Sequence, residues 1–210
     1  MFGDDLHIII SPLLKIEILQ MPKPLKPYGG FIFTSENGVQ AYVQNWPKSG
    51  LPAYCVGPRT EIAAKSAGFQ TITANGSASD LIEMLKRENV KNPLLHIHGE
   101  QTRGEVVQNL QASGYRVDGL VAYHQIPMRL NQGAIAALSG EKPLILPLFS
   151  PRTAELFFDS AKQINAKLLI IALSKAIRDA VPVNSSTKVS IAKTPDANAM
   201  LKLIKKCLEI

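Results

Sequence analysis

The chain has 210 residues, 46% of them hydrophobic and 6% aromatic, with 23 Lys and Arg against 17 Asp and Glu for a net charge of +6. That length holds one large domain or two small ones, and the apolar share can supply real, mainly aliphatic cores. No apolar run approaches membrane-spanning length, and Phe2-Gly3-Asp4-Asp5 puts negative charge where a signal peptide carries positive, so a soluble cytoplasmic protein with no membrane partner is expected. A basic balance favours acidic partners, whether nucleic acid, anionic membrane or a polyanionic small molecule. The one dense cluster, Lys202, Lys205 and Lys206, reads as a solvated face of the final helix, which points away from nucleic acid. Cys55 and Cys207 lack metal-ligand spacing and read as buried or half-buried thiols in a reducing compartment.

Taken in chain order, His7-Ile8-Ile9-Ile10 reads as a strand, and residues 13–19 continue as extended chain. Three prolines in Met21-Pro22-Lys23-Pro24-Leu25-Lys26-Pro27 remove backbone donors, so no regular element runs through that link. Apolar runs then alternate with amphipathic stretches. The pattern predicts strands at 30–33, 53–56, 69–73, 94–97 and 116–123, the last running on through Pro127. Between them it predicts helices at 38–45, 59–67, 78–88 and 103–113, with Ser or Thr at several starts and Gly114 at one stop. After residues 128–132 the rhythm restarts. Helix 133–138, strand 144–148, helix 153–161, strand 167–173, helix 175–180, strand 188–192 and helix 196–208 follow. Such alternation specifies βαβ units and parallel sheets covered on both faces, hence an α/β fold of doubly wound type.

The second series repeats the first. Phe33-Thr34-Ser35 matches Phe149-Ser150, Tyr54-Cys55-Val56-Gly57 matches Ile171-Ala172-Leu173-Ser174, and Ala74-Asn75-Gly76-Ser77 matches Lys193-Thr194-Pro195-Asp196. Internal duplication into two similar domains explains this economically. Ser35 and Ser150 each follow a strand and open a helix, where free N–H groups and a hydroxyl converge and attract anions. For either serine alone, helix capping is a sufficient explanation. The pair together with Thr60 and Ser77, all at strand-to-helix turns, favours a ligand bearing many negative groups.

Other constellations are weaker. Val56-Gly57-Pro58-Arg59-Thr60 lacks the Gly-Lys-Ser/Thr ending of a phosphate loop, and no GxGxxG occurs, so a dinucleotide cofactor is disfavoured. His96 and His98 share one face of a strand, with Glu100 the only close third group, and no metal site is expected. Arg103, just past that strand, can meet a carboxylate bidentately. Tyr123 closes the last strand of the first series, where it is either a core aromatic or a proton donor into a cleft. Without a paired-carboxylate motif, a marked lysine or a Ser-His-Asp order, chemistry needing no cofactor and no covalent nucleophile fits best.

Ile32-Phe33-Thr34-Ser35-Glu36-Asn37-Gly38-Val39, Val56-Gly57 followed by Thr60, Ser77 to Leu81, Gly99, Val121-Ala122-Tyr123 and Phe149-Ser150-Pro151 occur in one order along nearly the whole chain. This ordered set resembles the uroporphyrinogen-III synthases. The resemblance implies conversion of hydroxymethylbilane, a linear tetrapyrrole with eight carboxylates, to uroporphyrinogen III, with loss of water, ring closure and inversion of ring D. It implies two α/β domains joined by a two-stranded ladder, one inserted in the other. Residues 1–17 and 131–210 would form the first domain, 26–125 the inserted one, and 18–25 and 126–130 the linkers. Family members usually begin with a further strand and helix, of which Phe2-Gly3-Asp4-Asp5 looks like the helix tail, so the first domain is expected to lack them.

By the same resemblance Tyr123 is the catalytic acid that assists departure of hydroxide. Thr34, Ser35, Thr60, Ser77, Gly99, Arg103, Ser150 and Ser174 hold carboxylates or pyrrole N–H groups, Ser174 standing where the family commonly has a Gly and Thr turn. The expectation is a monomer without cofactor or metal. Rate enhancement would come mostly from holding the substrate folded back on itself. The alternative is a non-catalytic two-lobed binder of small anions.

Overall fold

The computed structural model describes residues 6–22, 26–101, 105–182 and 187–208. The chain divides into two compact units, Ile16–Ile126 on the one hand and Met1–Lys15 with Pro127–Ile210 on the other. The boundaries fall in strand β1 (Leu14–Ile18) and at the end of strand β6 (Val117–Pro127).

The unit Ile16–Ile126 carries β2 (Gly30–Phe33), α1 (Glu36–Asn45), β3 (Ala53–Cys55), α2 (Pro58–Ser66), β4 (Thr71–Thr73), α3 (Ala78–Arg87), β5 (Leu94–Gly99) and α4 (Val106–Ala112) ahead of β6. Its sheet has the order β1-β6-β5-β2-β3-β4. From β6 to β4 every pairing is parallel. The β1 end is antiparallel: the Leu19 N–H donates to Ala122 O at 3.0 Å and the Met128 N–H to Leu13 O at 2.8 Å, numbers rising in one strand as they fall in the other.

The strands are apolar on consecutive residues because both faces are covered. On one face Phe33 packs with Ala41 and Tyr42 of α1 and Ala64 of α2. On the other, Ile32 packs with Leu81 and Leu85 of α3 and Leu110 of α4. Helix α1 sits very close to β5. A Cβ on Gly38 would lie 2.6 Å from the Ile97 carbonyl oxygen, so only glycine permits that seat.

Order matters more than content for the site. The chain builds β2, β3 and β4 outward in one direction, then returns to place β5 on the opposite side of β2. The reversal lies between β2 and β5. In open parallel sheets the carboxyl ends flanking such a reversal form a natural crevice.

Helix starts follow local chemistry. The Ser35 hydroxyl accepts the Gly38 N–H, and the Ser150 hydroxyl accepts the Thr153 N–H. Ser77 forms a full capping box with Asp80. Replacing Ser77 with alanine removes that box and is expected to lower unfolding stability by about 1 kcal/mol in a denaturant titration.

The other unit holds α5 (Gln132–Ser139), β7 (Leu144–Leu148), α6 (Pro151–Ser160), β8 (Leu168–Ala172), α7 (Lys175–Asp179), β9 (Thr187–Ile191) and α8 (Ala197–Leu208). Its sheet is β7-β8-β9, all parallel. Leu138, Phe157 and Ile177 cover one face, packed on Leu148, Leu168 and Ile170. Met200 and its neighbours on α8 cover the other through Ile171. Both sheets are therefore covered on both sides and parallel, as the rhythm of the sequence predicts, apart from the antiparallel β1 edge, and they differ in size, with six strands against three.

Residues 7–10 do not form the expected strand: no described strand pairs with them, and Ile8 and Ile10 are 69% and 76% exposed. Apolar, β-branched content favours extension, but a strand exists only where a neighbour supplies its hydrogen bonds. The expected strand 94–97 extends to Gly99, carrying His98 into the sheet. Helix α4 is described only from Val106, and residues 2–5, read as a helix tail, lie outside the described residues. Among the described residues no helix is long and apolar enough to cross a membrane.

Candidate active site

The carboxyl ends of β2, β5 and β6 bring together the main chemistry-bearing side chains of the unit Ile16–Ile126. Tyr123 lies on β6 and is only 4% exposed. Its hydroxyl is 2.9 Å from the Ser35 hydroxyl, 88 residues away in sequence. Ser35 already accepts the Gly38 N–H at 3.2 Å, so the two hydroxyls share one remaining hydrogen bond in which either can donate. The tyrosine ring is seated on Gly99. A Cβ there would lie 2.5 Å from Tyr123 Cε2 and 2.7 Å from Cζ. A register shift at His98/Gly99 pairs Gly99 with Tyr123 and sets this contact.

The opposite face of the same strand ends carries a second group. Thr34 Oγ1 lies 3.1 Å from His96 Nε2. His96 is buried to 1% exposure and stacks on His98 with ring centroids 4.6 Å apart. Burial first, and the neighbouring His98 second, push the His96 imidazole down from its ordinary 6.5 to about 3, so the ring is neutral at physiological pH. The His98 Nδ1–H donates to the Gly99 carbonyl at 2.8 Å. Glu100 and His124 pair at 2.9 Å just beyond, on the exposed side.

The remaining predicted residues are distributed as follows. Thr60 is buried in the first turn of α2. Its neighbour Arg59 reaches Glu36 in the first turn of α1 at 2.9 Å, an exposed cation at a helix start that the sequence reading did not single out. The Ser77 hydroxyl is engaged with the Asp80 carboxylate at 2.7 Å, so a carboxylate of the protein already occupies that helix start. In the other unit, the Ser150 hydroxyl meets Thr153 Oγ1 at 2.7 Å, beside Phe149, whose ring is half-exposed. Ser174 opens the five-residue α7 without a side-chain cap. Arg103 lies outside the described residues. Among the described residues there is no group of three or more His, Cys, Asp or Glu fit to hold a metal.

The sequence profile described as uroporphyrinogen-III synthase HemD matches residues 5–202. The chain belongs to the uroporphyrinogen-III synthase family. It is therefore a cofactor-independent, lyase-type cyclase of tetrapyrrole biosynthesis, acting on a small-molecule tetrapyrrole. This membership decides against the non-catalytic anion binder. Among solved structures, the chain is similar to the uroporphyrinogen-III synthetase from Helicobacter pylori 26695, at 18% identity and TM-score 0.72, with 93% of this chain and 91% of that one covered. It is also similar to a mutant uroporphyrinogen III synthase from the extremely thermophilic bacterium Thermus thermophilus, at 16% identity and TM-score 0.51, covering 94% and 88%. At these identities the likeness speaks for a uroporphyrinogen-III synthase fold. No curated protein sequence matches the chain.

His96 is the residue whose part the sequence reading missed. Its spacing from His98 suggests only half of a metal pair. Its true partner, Thr34, is 62 residues distant, and no local spacing announces that contact.

Proposed function

We propose that this chain cyclises hydroxymethylbilane to uroporphyrinogen III and that Tyr123 is its proton donor. The supporting observation is the Tyr123 hydroxyl held 2.9 Å from Ser35 beside Gly99, at the carboxyl end of the sheet where the strand order reverses. With Ser35 donating to the phenol oxygen, the Tyr123 O–H is free to donate elsewhere. It protonates the hydroxyl leaving the hydroxymethyl carbon, which departs as water and leaves a reactive azafulvene. The substituted α-carbon of ring D then bonds to that carbon. Its older bond to the methylene bridge of ring C breaks, and the freed methylene bonds to the other α-carbon of ring D, which gives up its proton, so the ring ends inverted. A phenol is a weak acid at neutral pH, so its share of the acceleration is modest, and positioning supplies the rest.

Thr34, Ser35, Thr60 and the backbone at Gly99 are the proposed substrate contacts in this unit, with Ser150 and Ser174 in the other. Arg103 completes the proposed set, and Ser77 joins it only by exchanging the Asp80 carboxylate for one of the substrate. Hydroxyls and free N–H groups at helix starts suit an octacarboxylate. We also propose a monomer acting in the cytoplasm, a reading supported by the free thiols of buried Cys55 and half-buried Cys207, which fit a reducing compartment.

The test supplies hydroxymethylbilane and separates the isomers formed. Enzymatic formation of the type III isomer is expected; accumulation of the spontaneous type I isomer alone rejects the activity. Tyr123→Phe is expected to slow type III formation by about 10-fold or more, with thermal unfolding nearly unchanged. Undiminished turnover in that variant removes Tyr123 from the chemistry.

A further inference from the structure

His96 is an unusual residue to bury. Its Nε2 meets Thr34 Oγ1 at 3.1 Å, while its Nδ1 is buried with no hydrogen-bond partner. An apolar side chain of similar size would fill the space between α3, α4 and the sheet without leaving a polar atom unpaired, so packing gives no reason for an imidazole here. The reason lies in what the ring does to Thr34.

A neutral imidazole carries one N–H. On Nδ1 the proton would be a buried donor with nothing to receive it, a rare condition in folded proteins. On Nε2 it has Thr34 Oγ1 directly in reach. The Nε2–H form is also the intrinsically favoured tautomer of neutral imidazole. His96 therefore donates and Thr34 accepts. The threonine proton cannot then point at His96; it turns to the partly exposed side, at the carboxyl end of β2 beside the strand-order reversal. An unconstrained hydroxyl can either give or take a hydrogen bond. This one is left able to give, and a carboxylate can only accept.

We propose that His96 is a positioning residue, which through its Nε2–H fixes the Thr34 hydroxyl as an outward donor to a carboxylate of the tetrapyrrole. The proposal rests on the reading of Thr34 as a substrate contact. Burial keeps the ring neutral, near a pKa of about 3, so the arrangement persists throughout the assay range.

Two measurements test it, and they fail separately. Nitrogen-15 NMR of the wild-type imidazole reports the tautomer without any substrate. A protonated Nε2 and a bare Nδ1 are expected from pH 5 to 8, and the reverse assignment overturns the proposal whatever Thr34 binds. Steady-state kinetics with hydroxymethylbilane then compares variants. His96→Phe is expected to raise KM about 5-fold, the factor one ordinary hydrogen bond gives, with kcat within 2-fold. His96→Gln, whose amide nitrogen can stand in for Nε2, is expected to restore most of that loss. In a Thr34→Val background, His96→Phe is expected to add nothing further to KM. A full additional effect there makes His96 merely structural and ends the proposal. An unchanged KM in Thr34→Val alone ends it from the other side, by removing Thr34 from the substrate contacts.

Discussion

Replacing Gly99 with alanine is expected to damage stability and turnover together. The new methyl carbon would sit 2.5 Å from Tyr123 Cε2 and 2.7 Å from Cζ, well inside contact distance. Gly99 and Tyr123 are paired across β5 and β6, and the Glu100 N–H donates to the Tyr123 carbonyl at 3.0 Å, so the backbones are held together. The ring has to move instead. It is packed in the cluster of Phe33, Val39, Tyr42 and Ile97, which leaves little room. Overpacking of this kind costs about 1–3 kcal/mol. Displacement also breaks the 2.9 Å bond to Ser35 and misplaces the proposed proton donor by about 1 Å, for which a loss on the order of 100-fold in turnover is expected. Denaturant unfolding and the isomer assay read the two effects. A Gly99→Ala/Tyr123→Leu pair should be less destabilised than the sum of its single changes, because the smaller side chain vacates the space. Wild-type stability in Gly99→Ala would mean that the ring is not seated on the glycine.

Acidification is expected to unfold the unit Ile16–Ile126 through His96. The folded ring takes up its proton only near pH 3, against an ordinary 6.5 in the unfolded chain. Between those values the unfolded state binds more protons, so stability is full above about pH 6.5 and falls as pH drops toward 3. The shift corresponds to a loss on the order of 4 kcal/mol across the window. Glu61, held down chiefly by its hydrogen bond with Lys65, and Asp196, held down chiefly by Thr194, titrate below their ordinary 4.5 and 3.8. Their stabilising effect likewise fades on acidification, but only at lower pH. The interval from about pH 6.5 to 4.5 therefore lies above the titration of those two carboxylates. Unfolding free energy measured across it should fall more steeply in the wild type than in His96→Phe. Equal slopes in the two proteins would show that the ring is protonated readily in the fold.

The three serine caps show how much of this molecule can be read locally. A hydroxyl at Ser35, Ser77 or Ser150 meets an N–H three residues on, whatever the rest of the chain does, so these helix starts are visible in the letters. The same holds for the apolar runs of β2, β5 and β8, whose continuity already implies cover on both faces. The ordered motifs from Thr34 to Ser150 were likewise enough to indicate the family. Residues 7–10 mark the limit of such reading, since Ile8, Ile9 and Ile10 have strand character and no strand.

Local chemistry and hydrophobic period thus settled the kind of elements, the helix starts and the candidate hydroxyls, because each depends on neighbours within a turn or a strand. Strand order was settled only by long-range pairing, since many layouts share one pattern of apolar runs. The order β6-β5-β2-β3-β4 is what sets β2 against β5 and carries Tyr123 to Ser35 and His96 to Thr34, across 88 and 62 residues. Burial did the rest. It made a histidine that looked like half a metal site into a neutral ring behind a threonine.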